Sequence, residues 1–194
     1  MMGNINILST DILSDNWYTL KRVNFELTKK DGSVIKQSRE AYDRGNGAVI
    51  LLFNKDFGTV VLTKQFRLPT YINGNESGYL IECCAGLLDH DNPEDCIKRE
   101  TEEETGFRIN NVTKIFQAYM SPGSVTEILH FFIAEYKPHM RVSDGGGVSH
   151  EEENIEVLEM QFDAALRMVA AGEICDAKTI MLLQYAQLNN LLEK

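Results

Sequence analysis

Arg99-Glu100-Thr101-Glu102-Glu103-Glu104-Thr105-Gly106 is the stretch on which the reading of this chain turns. The residues before and after it mark a helix. Asn92 suits the N-cap, Pro93 the first helical position, Glu94 and Asp95 the positive end of the dipole, and Gly106 a left-handed stop. The spacing therefore predicts a helix over 93–105. On such a helix Glu104 lies about 40° from Glu100 and Glu103 about 60° to the other side, whereas Glu102 points about 160° away. Like charges four residues apart destabilise a helix by ~0.2–0.5 kcal/mol per pair, so three carboxylates on one face need compensation. A divalent cation supplies it, and carboxylate oxygens are the ligands that Mg²⁺ or Mn²⁺ prefers. Arg99, four places before Glu103, can pair with it and leave Glu100 and Glu104 for the ion. On these residues alone a solvated acidic helix stays open.

Working outward, alternating apolar residues from Tyr18 to Lys29, the turn signal Asp31-Gly32 and an extended pattern from Ser33 to Tyr42 predict a β-hairpin. Ala48 to Phe53 is apolar throughout and reads as a central strand, with a second at 59–67 and a short third at 79–84 that stops at Ala85-Gly86. Pro69 and Asn73-Gly74-Asn75 mark a loop between them. Strands at 112–120 and 127–136 flank the turn Ser121-Pro122-Gly123. A loop over 138–154 carries Gly145-Gly146-Gly147 and Glu151-Glu152-Glu153, and loops of that length are often functional. A strand at 155–160 and helices at 162–171 and 176–192 complete a mixed α/β chain.

Composition excludes several function classes. The 194 residues carry a formal charge of −10, which argues against nucleic acid and anionic membrane surfaces as partners. The longest apolar run has six residues, Ala48 to Phe53, against the ~20 of a membrane helix. Residues 1–17 lack a basic segment followed by an apolar one, so a cytoplasmic location is expected. Cys83, Cys84, Cys96 and Cys175 show no CxxC spacing and read as reduced, mostly buried thiols.

The stretch Gly86 to Phe107 resembles the Nudix box, Gly-x5-Glu-x7-Arg-Glu-U-x-Glu-Glu-x-Gly-U with U bulky and apolar. It matches at Arg99, Glu100, Glu103, Glu104, Gly106 and Phe107. One residue is missing between Gly86 and Arg99, counting from Gly86 puts Asn92 at the early acid position, and Thr101 stands where an apolar residue is usual. The similarity extends over residues 12–188, through Ile12 to Trp17, Arg39-Glu40, Tyr42 to Gly47, Gln65-Phe66-Arg67, Asn73 to Gly78, Tyr119 to Gly123 and Gly145 to Val148. In these it is most like the GDP-mannose pyrophosphatase group, whose relatives act on ADP-sugars.

The resemblance implies a Nudix α/β/α sandwich with a mixed sheet over 46–194, and a small N-terminal β region over 1–45 exchanged in a homodimer with a composite active site. It implies Mg²⁺ or Mn²⁺ held by Glu100, Glu104, the Ala85 carbonyl and Glu153, and attack of water at phosphorus to split GDP-mannose into GMP and mannose 1-phosphate. Catalysis falls to Glu153, Glu104 and Glu103, with Glu153 as general base. The choice among Glu151, Glu152 and Glu153 stays open. Substrate contacts are expected from Trp17, Ser38, Arg39 and Glu40 of the N-terminal region, and from Arg67, Ala85, Gly86, Leu87, Glu104, Glu127, Glu152, Glu153 and Lys178. An ADP-ribose or ADP-sugar pyrophosphatase, and a nucleotide-sensing domain without catalysis, are the alternatives.

Overall fold

The structure, a computed structural model, describes residues 4–148 and 154–193. The chain divides into two units: residues up to Asn46 together with Tyr119–Ile128, and Gly47–Ala118 together with the residues from Leu129 onward.

The first unit is a three-stranded antiparallel sheet in the order β1 (Ile5–Asp15), β2 (Thr19–Thr28), β3 (Val34–Asp43). The hairpin read from the sequence is β2 and β3, turned at Gly32 with φ of 85°. Strand β1 is an addition to that reading. Its pairing with β2 skips Leu8 and Leu13, where the register shifts between Ile7 and Ser9 and between Ile12 and Ser14. Each bulge reverses the alternation of faces, so the period-two signal cancels along the strand. The segment Tyr119–Ile128 joins β3 through a parallel bridge between Tyr42 and Val125, with Tyr42 N donating to Ser124 O at 2.7 Å.

The second unit is built on a seven-stranded mixed sheet. β4 (Gly47–Asn54) lies at its centre, and the main order is β10 (Glu156–Gln161), β5 (Thr59–Phe66), β4, β9 (Ile128–Glu135), β8 (Thr113–Tyr119). β4 runs parallel to β9 and antiparallel to β5. β4 and β5 pair only at Leu52–Asn54 and then diverge. Into that fork enters one run of chain, as β6 (Tyr79–Glu82) on β5 and then β7 (Ala85–Leu87) on β4. The predicted third strand therefore does not stop at Ala85-Gly86; it changes partner there. Between β5 and β6, the expected loop holds a five-residue helix, α1 (Leu68–Ile72). Pro69 sits in the first turn of that helix, where a backbone N–H would have no intrahelical acceptor and its absence costs nothing.

Helices cover both faces of this sheet. Helix α2 (Pro93–Thr105) packs through Cys96 and Ile97 on a cluster that includes Ala48, Ile50, Leu52 and Phe132. Val49 and Leu51 point the other way and are equally buried. On that second face Phe131, level with Val49 in the register, meets Phe116, which meets Tyr185 of α4 (Ala177–Leu188). Helix α3 (Phe162–Ala171) packs against α4 and β10. Full burial on both faces explains the unbroken apolar run of β4. The thiols of Cys83, Cys84 and Cys96 are buried and free, and that of Cys175 is free and exposed.

Candidate active site

Helix α2 has the limits its sequence predicts. Asn92 accepts from Glu94 N and Asp95 N, both at 3.1 Å, and Gly106 takes φ of 78°. A cap of this kind contributes about 1 kcal/mol. Thr101, the polar residue at an apolar box position, is fully buried and donates to Ile97 O at 2.5 Å, which removes the cost of its hydroxyl. Cys96 Sγ donates to Leu87 O at 3.1 Å and ties the helix to β7.

This docking brings the carboxylates to the sheet fork. A Cβ on Gly86 would stand 2.1 Å from Glu100 Cδ and 2.3 Å from its Oε1, so the Glu100 side chain occupies the space that only glycine leaves. Glu104 is 2% exposed. Burial, and next the charge of Glu104, push the Cys84 thiol well above its ordinary range, and Glu100 acts in the same direction. Glu100 and Glu104 thus flank the Cys84-Ala85-Gly86 backbone as the helical spacing requires.

Arg99 does more than the sequence suggested. Its Nη1 lies 2.9 Å from Glu103 Oε2 and also 2.9 Å from Glu100 Oε1, so it spans both acids, and Glu100 is not left clear of it. Its Nε lies 3.4 Å from Asp91 Oδ2. That pair corrects the alignment of the box: the early acid stands eight places before Arg99, which is Asp91, while Asn92 is the helix cap. The missing residue falls between Gly86 and Asp91. Among the described residues no three His, Cys, Asp or Glu side chains converge as a ready-made ion cage. Arg99 draws Glu103 and Glu100 toward itself, and residues 149–153, with Glu151, Glu152 and Glu153, lie outside the described residues. Two carboxylates and the adjacent backbone carbonyl form an all-oxygen donor set, and the space at Gly86 holds one of those carboxylates in place. The residues fit a hard divalent cation.

The loop leading toward 149–153 is anchored on the C-terminus of α2. Gly146 N donates to Glu104 O at 2.8 Å and Gly147 N to Glu103 O at 3.1 Å, filling helix carbonyls that have no partner in their own helix. A Cβ on Gly145 would meet Glu104 O at 2.5 Å. The loop returns where Ile155 N donates to Gly146 O at 3.3 Å.

Arg67 and Lys178 share one partner. Arg67 Nε donates to Glu82 Oε2 at 2.7 Å, and Lys178 Nζ donates to the other oxygen of Glu82 and to Asp176 Oδ1 at 2.9 Å. Lys178 is partly buried, its side chain turned toward these two carboxylates. Burial alone would lower its pKa, but the carboxylates of Glu82 and Asp176 outweigh it and hold Lys178 above an ordinary lysine. Glu82 and Asp176 were missed in the sequence. The available signal was an acid in the middle of the otherwise apolar run Leu80-Ile81-Glu82-Cys83-Cys84, where a buried charge needs a partner.

The remaining expected residues lie in the first unit. Trp17 is 84% exposed, with Tyr18 edge-on to its ring at 6.3 Å. Ser38, Arg39 and Glu40 are exposed on β3, and Arg39 donates to Ser38 O at 2.8 Å. Glu127 pairs with Arg44 at 3.7 Å.

The Nudix domain profile matches residues 43–182, and the profile of the GDP-mannose pyrophosphatase NudK N-terminal domain matches residues 4–42. The chain belongs to the Nudix family. The GDP-mannose pyrophosphatases of Shigella dysenteriae serotype 1 (strain Sd197) and Escherichia coli (strain K12) are each 55% identical to this Nudix chain over 193 residues, covering 100% of both sequences. A crystal structure of an ADP compounds hydrolase superposes with a TM-score of 0.72 at 16% identity, covering 97% of each chain, and shows the same fold. Nudix enzymes generally use divalent metal ions.

Proposed function

We propose that this Nudix hydrolase splits the diphosphate of GDP-mannose, giving GMP and mannose 1-phosphate, with Mg²⁺ or Mn²⁺ as cofactor. The observation that carries the reading is the Glu100 and Glu104 pair lying against Cys84-Ala85-Gly86, in a chain similar over its full length to GDP-mannose pyrophosphatases. Glu100, Glu104, the Ala85 carbonyl and Glu153 would hold the ion. Bound there, a divalent cation would neutralise diphosphate charge and lower the pKa of a bound water toward ~7. Glu153 takes the proton from the attacking water as a new P–O bond forms and the bridging P–O bond breaks, with Glu152 beside the substrate. Arg67 grips diphosphate oxygens through its fork, and Lys178 adds a point charge. Gly86 and Leu87 approach the phosphates by backbone, and Glu103, paired with Arg99, steadies the helix face.

The base is read, in this proposal, by a second copy of the chain. Trp17 would stack on it, with Arg39, Glu40 and Ser38 on the neighbouring strand and Glu127 completing the contacts. The exposed apolar side chains Ile5, Ile7 and Ile12 of β1 and Trp17 after it are surface that a homodimer would cover, which supports this reading. Deletion of residues 1–46 is expected to give a monomeric or insoluble, inactive protein; a dimeric and fully active truncation in analytical ultracentrifugation would remove the exchange. The free thiols fit a reducing compartment, and we place the protein in the cytoplasm.

A product-resolved panel of GDP-mannose, ADP-ribose and ADP-glucose, with and without Mg²⁺, tests the reading. GMP and mannose 1-phosphate as the fastest-formed products support it. Preferential turnover of ADP-ribose assigns the alternative substrate class, and binding without turnover of any of them assigns a sensor. In the same assay Glu153→Gln should lower kcat by roughly 10²- to 10⁴-fold, the contribution of a general base. Activity within threefold of wild type would pass that role to another acid.

A further inference from the structure

Glu82 stands at the end of β6, in the fork of the sheet and three residues before Ala85, with a side chain almost fully shielded from solvent. Each of its carboxylate oxygens is committed to a different cation, Oε2 to Arg67 and Oε1 to Lys178. Asp176 divides its oxygens in the same way. Oδ1 takes Lys178, while Oδ2 accepts from Thr179 N at 3.0 Å and Thr179 Oγ1 at 2.6 Å and so caps α4. Thr179 Oγ1 in turn accepts from Cys83 N at 2.7 Å, which fastens the helix start to the residue after Glu82.

The donors left over are informative. Arg67 has five N–H groups and gives one, from Nε, to Glu82; its two Nη groups have no partner among the described residues. Lys178 has three and gives two, to Glu82 and Asp176. Two cations from segments over 100 residues apart are thus held side by side by one carboxylate. An ion network around one buried carboxylate is a weak device for stability, so the value of this one lies in the geometry it imposes.

We infer that Glu82 is a positioning residue, with Asp176 as its auxiliary, that presents Arg67 and Lys178 as a paired cationic clamp for the diphosphate of the substrate. The inference rests on the function proposed above for its use in turnover, but the clamp itself needs only a diphosphate. Glu82→Gln keeps the shape and removes the charge that holds both cations. It should raise KM by at least tenfold, and by the same factor for every nucleotide diphosphate sugar that the wild type turns over, with kcat changed less than threefold, because uniform binding is what is lost. Methylenediphosphonate, which has neither base nor sugar, should lose affinity in parallel when titrated calorimetrically in the presence of Mg²⁺. That arm reads the clamp even when the preferred nucleotide sugar proves to be another.

Glu82→Asp should recover part of the loss. The effect of Arg67→Ala should shrink in the Glu82→Gln background, since the two residues act as one unit. A folded Glu82→Gln with KM and methylenediphosphonate affinity within twofold of wild type, or strictly additive double variants, would overturn the inference and leave Glu82 a structural residue. Should Glu82→Gln not fold, Asp176→Asn decides: about a threefold rise in KM is expected, and an unchanged KM refutes the clamp.

Discussion

Glu104→Gln is expected to lower kcat by about 10³-fold, because a cation at a reacting phosphoryl group contributes several kcal/mol and each 1.4 kcal/mol is tenfold in rate. The substitution isolates charge from shape. Glu104 is 2% exposed and sits where α2 closes on Cys84, so an amide of the same size preserves the packing. It also relieves the repulsion between acids four residues apart, and the variant should melt no lower than wild type. Saturating GDP-mannose kinetics, thermal melting and Mn²⁺ titration followed by electron paramagnetic resonance test the two halves separately. Loss of turnover and of Mn²⁺ affinity in a folded protein is the expected result. Activity within tenfold of wild type would remove Glu104 from the metal-binding set.

Gly86→Ala should act through Glu100 without touching an acid. The added methyl would lie 2.1 to 2.4 Å from Glu100 Cδ, Oε1 and Cγ, closer than any real contact, so that side chain must swing away. A flexible side chain can do so cheaply, and Gly86 has no positive φ to strain. The pairing of Gly86 with Ala48 continues through the backbone. The cost therefore falls on ion binding and not on folding. The Mg²⁺ concentration for half-maximal activity should rise about 10- to 100-fold, the range seen when the support of a metal ligand is lost, with much of the rate recovered at high Mg²⁺. An unchanged Mg²⁺ requirement would show that the close packing of Glu100 on Gly86 has no part in ion binding.

What could be read from the sequence was local. Asn92, Pro93 and Gly106 define α2 to the residue because capping depends on a few neighbouring groups. The apolar run of β4 announced its burial for the same reason. The acid of the box was misplaced by one residue, since counting from Gly86 cannot tell where a shortened loop lost its residue; the Arg99–Asp91 pair can. Strand β1 escaped because two bulges reverse its faces, and α1 because five residues are too few for a helical period. Glu82, Lys178 and Asp176 carried no legible connection, being joined only by the fork between β4 and β5 and the return of α4 across the sheet. Even the acidic face was half legible. Its spacing follows from the helix, but the sharing of Arg99 between Glu100 and Glu103 depends on side-chain torsions that spacing does not determine.

The Gly146 hydrogen bonds have a consequence for how such a protein can change over time. Gly146 is both the post fixed to the end of α2 and the acceptor for Ile155, so the intervening stretch begins and ends at one place. Residues inserted or deleted there alter the span without moving either post, and each doubling of loop length costs only about 0.6 kcal/mol. Helix α2 and the strand after the loop are insulated from that traffic. Acids can thus be gained, lost or shifted between the posts at little expense to stability, and new substrates can be tried on a scaffold that stays the same.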